Sequence, residues 1–190
     1  MKIICVENLF GSGEPYLSLR PDTSALRNND DFYLPHFSSN VVCGCGITVR
    51  ITRLAKCLDA RFASRCYDGV GAGVAFVAED VRQREIAAGR PCEVAYAFDR
   101  SLALSHEEIP AAEIGDGVVE MMVNGVSVQK LSLAELQEGI DASVARASQM
   151  LTLKMGDVVF LQMPAEIKAA QNSTVKVLFN GVELLNFQVK

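Results

Sequence analysis

Apolar positions along this chain come in short runs and in two hairpin-like pairs, with one longer helical stripe between them. Lys2 to Val6 and Tyr16 to Arg20 read as short strands joined by the turn-prone stretch "GSGEP". Pro21 to Ser39 is polar and contains Pro35, so it predicts a loop with little regular structure. Val41 to Arg53 predicts a long strand, apolar at most positions and ending in charges. Phe62 and Cys66 stand at helical spacing within Asp59 to Tyr67, and Gly69 to Val77 reads as a buried, glycine-softened strand. Glu79 to Gly89 predicts a helix stopped by Gly89, with Pro91 beyond it.

The second half is patterned more clearly. Val118 to Leu131 is two strands around Asn124-Gly125, the strongest short hairpin signal. Ser132 and Glu135 have capping-box spacing, and Leu133, Leu136, Ile140, Val144, Ala147 and Leu151 share one face. This predicts a single amphipathic helix from Ser132 to Leu151. Lys154 to Pro164 returns as a strand, and a second hairpin turns at Asn180-Gly181. The pattern predicts an α+β, β-rich single domain over residues 1–190, with a few flanking helices and no internal repeat.

Composition narrows the function classes. Apolar residues make up 49% and charged ones 22% of 190 residues, an ordinary soluble composition with length enough for a sizeable core. A net charge of −5, with no Lys/Arg stripe, argues against nucleic acid as a partner. No apolar stretch approaches the roughly 20 residues that span a bilayer, and the N-terminal run is too short for a secretory signal. No membrane partner and a cytoplasmic location are the expectations. Six cysteines scattered over half the chain are then expected to be buried small hydrophobes rather than disulfides.

Candidate chemistry centres on "NVVCGCGITVRI", Asn40 to Ile51. On a strand, Cys43 and Cys45 point one way and Gly44 and Gly46 the other. Same-face neighbours lie about 6.5–7 Å apart, too far for an unstrained disulfide. A soft-metal or thiol role for the pair stands beside the plainer reading of core filling. His36 and His106 lack ligand-spaced partners, there is no CxxC, and a triad has only these two histidines to draw on. Gly69, Gly71 and Gly73 are spaced GxGxG rather than GxGxxG, which suits close strand packing better than a nucleotide loop. Arg82, Arg84 and Glu85 read as a solvated helix face. The residues by themselves carry no positive catalytic signature.

Read in order, "KIICV", "YLSLRPDTSAL", "FYLPHFSSNV", "VGAGVAFVAEDVRQRE", "AYAFDRSLAL", "VNGVSVQ" and "LTLKMGDVVFLQMPA" resemble successive blocks of the fumarylacetoacetate hydrolase family. The resemblance covers nearly the whole chain and implies a mixed β-sandwich roll, a homodimer, and Mg²⁺- or Mn²⁺-dependent chemistry on small dicarbonyl acids. Carried over position by position, the family's Glu-x-Glu metal ligands fall on Gly44 and Gly46, and its ligand Asp falls on Ala75. The Arg of the same block falls on Glu79, and a substrate-contacting Lys falls on Tyr96, with Phe98 and Asp99 retained. The "TGTPAG" turn reads Leu161 to Glu166, and the lid that carries a general-base His in many members is reduced to "GSGEP". Arg20 stands where the family often has Lys and is able to hold a carboxylate.

The resemblance therefore implies a catalytically degenerate member, a pseudoenzyme with a binding or assembly role. Arg20, Tyr96 and Pro164 would be its remaining small-carboxylate pocket, with no catalytic residue and no cofactor expected. The alternative is an active, diverged hydrolase, isomerase or decarboxylase of the acylpyruvate or oxaloacetate class. Glu79, Asp80, Asp99 and Glu166 are then the carboxylates nearest the site.

Overall fold

The computed structural model describes residues 1–9, 13–136, 139–164 and 166–190. The first half contributes β1 (Lys2–Glu7), β2 (Tyr16–Pro21), β3 (Ala25–Leu26), β4 (Val41–Arg50) and β5 (Gly69–Ala78). Helix α1 (Glu79–Ala87) follows, then β6 (Leu102–Leu104) and β7 (Ile109–Pro110). The second half adds β8 (Val118–Val123), β9 (Val126–Ser132), α2 (Ile140–Met150), β10 (Val158–Gln162), β11 (Ile167–Lys168), β12 (Thr174–Phe179) and β13 (Val182–Gln188). The result is the expected strand-rich α+β architecture.

Among the described residues the strands form two sheets. One is a mixed nine-stranded sheet in the order β2-β1-β10-β4-β5-β6-β3, with β11 added on β4 and β7 on β5. The other has four strands in the order β13-β12-β8-β9. Alternate side chains of a strand take opposite faces, so each sheet face has its own apolar set. Ile4, Cys43, Cys45, Ile47, Phe76 and Leu161 of the large sheet share the main core with Val119, Met121, Val177, Phe179 and Phe187 of the small one. The two sheets therefore pack against each other. The opposite face of the large sheet buries a smaller cluster, Ile3, Cys5, Ala75, Leu102, Leu104, Val158 and Phe160.

Both hairpins turn where the sequence places them. Asn124 and Asn180 have φ of 51° and 48°, and the glycines after them 80° and 83°. Positive φ at both central residues is what a type I′ turn requires. The region from Ser132 to Leu151 departs from expectation. Ser132 pairs with Val118 in β9, Leu133–Glu135 is one 3₁₀ turn, and α2 starts only at Ile140. Ser132 makes no side-chain cap, because strand pairing already holds it extended. Part of the expected helix, Gln137 and Glu138, lies outside the described residues. The apolar face survives the break: Val144 and Ala147 are buried, and Leu133, Leu136, Ile140 and Leu151 pack against the same core. The polar segment from Pro21 to Ser39 also holds more structure than expected, including β3 and a bridge from Phe32 to Val189.

Candidate functional site

A cavity of about 470 Å³ opens on the side of the large sheet away from the small one. Strand alternation places Tyr16, Ser18 and Arg20 of β2 on its wall, beside Glu7 at the end of β1. The start of α1 supplies Glu79 and Arg82, the turn after it Cys92 and Tyr96, and the end of β10 Gln162, Met163 and Pro164.

Arg20 is the most constrained of these groups. It is 2% exposed, and its Nη1 donates to the carbonyls of Tyr96 at 2.6 Å, Ser101 at 3.0 Å and Phe76 at 3.3 Å, and to Ser101 Oγ at 3.0 Å. Its guanidinium carbon lies 5.5 Å from the Tyr96 ring centroid. This arrangement ties β2 to the β5 end and to the turn before β6. Arg20 Nε, by contrast, is buried with no hydrogen-bond partner. The neighbouring Cys5 thiol is pushed up by burial, only partly offset by the Arg20 charge, so it stays neutral and a weak acceptor. Gln162 Oε1, in a residue 7% exposed, is a second buried polar atom without a partner. An unmade buried hydrogen bond costs about 1–3 kcal/mol, and these two atoms, both shielded from solvent, belong to residues of the cavity wall.

The charged groups have defined states. Hydrogen bonds from Arg82 hold the Glu79 carboxyl below its usual range, with N···O distances of 2.8 and 3.0 Å. Burial pushes Tyr96 up to about 12, helped by the Glu93 charge, and raises Tyr16 likewise, helped by Glu7. Both phenols are therefore protonated at neutral pH. Glu7 accepts from Tyr16 Oη at 3.1 Å and closely from Ser18 Oγ.

The structure thus brings together Arg20, Tyr96 and Pro164, and with them Glu79 and Glu166. It does not bring Asp80 or Asp99 to the cavity. Asp80 accepts from Ser38 Oγ at 2.5 Å and from Ser39 N and Oγ at 2.9 and 3.0 Å, fastening the start of α1 to the loop before β4. Asp99 is exposed. His36 and His106 are also exposed and apart from the cavity lining.

Gly44 pairs with Ala75 across β4–β5, and Gly46 with Gly73 and Gln162, so these positions share the cavity-side face. The Phe160 ring covers part of them: a Cβ on Gly46 would lie 2.8 Å from it, and one on Gly73 likewise 2.8 Å. Cys43 and Cys45 face the main core, where burial pushes both thiols up to about 12. Cys45 Sγ contacts Met163 Sδ at 3.6 Å, and this apolar setting supports core filling over thiol chemistry. The expectation of six buried cysteines fails at two: Cys57 is exposed and Cys92 half-buried on the cavity wall.

Sequence reasoning missed Glu7, Ser18 and Cys92, whose place on the wall depends on which strands and turns become neighbours; Gln162 lay in the turn Leu161 to Glu166 that the resemblance assigned to the pocket. The alternation Tyr16, Ser18, Arg20 was the available signal on β2. It also missed Gln129, which accepts from Cys45 N and donates to the Pro164 carbonyl, both at 2.9 Å. Gln129 reaches from the small sheet to fix the loop that follows β10, one wall of the cavity.

Comparison with known proteins places this geometry. The chain is 29% identical to the oxaloacetate tautomerase YcgM of Escherichia coli (strain K12), over 96% of this chain and 90% of that protein. An Escherichia coli crystal structure superposes with a TM-score of 0.90 at 27% identity, covering all of this chain and 91% of the other. Fumarylpyruvate hydrolase from Pseudomonas aeruginosa, solved with Mn²⁺ and pyruvate, superposes at 0.88 with 19% identity, over 100% and 89% of the chains. The Mn²⁺ of that structure runs against the expectation that this chain takes no Mg²⁺ or Mn²⁺. In this chain the positions assigned to the ion by resemblance, Gly44, Gly46 and Ala75, offer no side-chain oxygen to a hard cation. Among the described residues no group of three His, Cys, Asp or Glu side chains is arranged to hold one. No described helix is long and apolar enough to cross a membrane. Residues 9–183 match the model of the fumarylacetoacetate (FAA) hydrolase C-terminal domain, and the chain belongs to that family.

Proposed function

We propose that this chain binds a small oxo-carboxylate in the cavity beside Arg20, and that binding rather than turnover is its role. The observation that carries the reading is the buried Arg20, with Nη1 committed to backbone carbonyls and Nε open. The Nε–Nη2 edge of a guanidinium matches a carboxylate side-on, so the same residue serves as strut and anion receptor. Tyr96 packs against the guanidinium, and Pro164 lines the same cavity. Binding without turnover is favoured by the lack of a side-chain oxygen at Gly44, Gly46 and Ala75, by the Phe160 ring over Gly46 and Gly73, and by the absence of a histidine in "GSGEP". The proposal includes a homodimer, on the family resemblance. It also includes a cytoplasmic location, which suits six cysteines without a disulfide.

Calorimetric titration with pyruvate and oxaloacetate tests it. Wild type is expected to bind. Arg20→Lys, which keeps donors for the carbonyls but loses the planar edge, is expected to bind at least about tenfold more weakly. Progress curves on oxaloacetate and acylpyruvates, with and without Mg²⁺ or Mn²⁺, are expected to stay flat. Absence of binding, or turnover under any of these conditions, overturns the reading. Light scattering that returns the mass of one chain removes the dimer.

A second reading rests on the similarity to YcgM: a diverged enzyme acting on oxaloacetate or an acylpyruvate. Glu79 is an ionised carboxylate on the cavity wall and its candidate acid–base group. Enol–keto relaxation of oxaloacetate, followed by ultraviolet absorbance, separates the two. Acceleration that Glu79→Gln abolishes would establish the enzyme.

A further inference from the structure

The three most exposed large apolar side chains among the described residues stand on two adjoining segments. Met155 is 80% exposed, Met150 75% and Leu54 72%. Residues 51–57 run antiparallel to residues 148–157. Ala55 and Leu153 exchange both backbone hydrogen bonds at 3.0 and 2.8 Å, and Ile51 N donates to the Asp157 carbonyl at 2.8 Å. Cys57 N donates to the Ser148 carbonyl at 2.9 Å. Ala55 and Leu153 are buried in the core, so Leu54, the next residue along, points out. Met150 ends α2. Met155 is the tip of a turn closed by Asp157 N on the Lys154 carbonyl at 3.0 Å, with Gly156 at φ 87°. Scattered singly, such side chains are ordinary; three on paired segments form a patch.

The rim of this patch is positive. Arg53, Lys56 and Lys154 are exposed and make no ion pair among the described residues. Residues 51–58 and 148–156 contain no Asp or Glu, in a chain whose net charge is −5. Asp157, the next acid, is buried and held by Lys2 and by the Lys154 amide. The patch is also convex. Side chains this exposed project from the surface, and the open hollow beside them, lined by Cys57, Leu58 and Gln149 among others, includes none of the three.

A bound peptide takes a groove or a free sheet edge, and a two-fold contact with a second copy would set the positive rim against itself. A fluid surface with negative headgroups needs no groove, accepts projecting Met and Leu side chains, and neutralises the rim. We propose that this end of the molecule docks on an anionic lipid surface. Leu54, Met150 and Met155 enter the headgroup layer, and Arg53, Lys56 and Lys154 meet the lipid charges. The lack of a spanning segment, which set the expectation of no membrane partner, does not bear on surface docking. Strands β1 and β10 are parallel, begin at this end with the Lys2–Asp157 pair, and reach the cavity at Glu7 and Gln162. The cavity thus opens at the other end of these strands and stays in water when the patch is seated. Docking is independent of what the cavity binds.

Flotation with vesicles of phosphatidylserine and phosphatidylcholine in equal parts, against phosphatidylcholine alone, tests the proposal. Wild type is expected to bind the mixed vesicles at least about tenfold more tightly, and less so as salt screens the charges. Lys56→Gln with Lys154→Gln is expected to weaken that binding roughly 25-fold, at about fivefold per charge. Leu54→Ser with Met155→Ser is expected to weaken it at least about tenfold, with the urea midpoint unchanged because both side chains are exposed. The chain has no tryptophan, so Leu54→Trp reports insertion. Its fluorescence is expected to shift to the blue on mixed vesicles, while that of Val126→Trp, exposed on the small sheet, stays unchanged. Wild type that stays off the mixed vesicles overturns the proposal, as does equal binding to phosphatidylcholine alone or undiminished binding in either double variant. A mass by light scattering that halves in Leu54→Ser with Met155→Ser overturns it too, by showing that the patch joins two copies.

Discussion

Gly73→Ala, Gly46→Ala and Phe160→Leu, singly and in pairs, test whether the Phe160 ring keeps the glycine wall of the cavity bare. A Cβ on Gly73 would stand 2.8 Å from Phe160 Cε2 and 3.1 Å from Thr48 Cγ2, inside the 3.4 Å at which ordinary contact begins. Both obstacles are side chains. A Cβ on Gly46 would meet the ring at 2.8 and 2.9 Å, but also the Leu161 carbonyl oxygen at 2.2 Å. That oxygen belongs to the backbone of the paired strand β10, which cannot swing aside. Overpacking of a tight core costs about 1–3 kcal/mol, and replacing glycine in an ordinary backbone conformation returns about 0.4–1 kcal/mol through the unfolded state. Gly73→Ala is therefore expected to cost about 1–2 kcal/mol net, or roughly 2–8 °C in Tm for a chain of this length. Gly46→Ala is expected to cost more than about 3 kcal/mol, because β4 and β10 must part. In the Phe160→Leu background the Gly73→Ala penalty should fall by about 1 kcal/mol, while that of Gly46→Ala should persist. Urea unfolding of the single and double variants measures all of these. A Gly73→Ala penalty undiminished by Phe160→Leu would refute the reasoning, and so would a tolerated Gly46→Ala.

Arg20→Met should destabilise by upwards of about 3 kcal/mol, since it leaves the carbonyls of Phe76, Tyr96 and Ser101 short of a donor at about 1–3 kcal/mol each. A urea midpoint like that of wild type would show that these bonds are dispensable. Thiol titration of the native protein should find Cys57 and Cys92 and no others, with Cys5, Cys43, Cys45 and Cys66 reacting only on unfolding. Native modification of Cys43 or Cys45 would contradict the packing described. Burial alone would raise the Asp80 pKa, but hydrogen bonds from Ser38, Ser39 and Val81 outweigh it and bring it down to about 2. Its folded value lies below its unfolded one, so its stabilisation is complete above about pH 4 and is lost as pH falls towards about 2. Asp80→Asn should therefore lose less stability than wild type between those pH values, and parallel curves would sink the assignment.

How much of this was legible in the sequence depends on how local the determinant is. The two Asn-Gly turns were readable because positive φ at consecutive residues is a demand of the turn itself. The long apolar runs of β4 and β5 were readable because each is buried over nearly its full length. The helix from Ser132 was misread because a local capping pattern competed with a distant partner: Val118 holds Ser132 in the sheet. Its apolar stripe was real, yet it continues through a turn and then a shorter helix. At the site, Arg20, Tyr96 and Pro164 were placed together by resemblance. Their neighbours Glu7, Ser18 and Cys92 were not, because the pairing of β2 with β1 and the path of the turn after α1 bring them there. Gln129 is the extreme case, a residue of one sheet whose hydrogen bonds set a loop of the other.

Phe160, Gly46, Gly73 and the Leu161 carbonyl behave as one packed unit, which bears on how this chain relates to its family. A larger side chain at Gly46 must move a ring and a strand at once, so no single substitution from the present structure restores a carboxylate there. Meanwhile the cavity keeps its polar groups on the opposite side, along Glu7, Ser18 and Arg20, with Gln162 and Cys92 at its edges. The packed glycine wall offers no side-chain polar group, whereas the Arg20 guanidinium on the β2 side keeps one donor unpartnered. In the binding reading proposed above, recognition starts from the β1–β2 side, and the Arg20 side chain that ties β2 to β5 and to the turn before β6 would also hold the anion.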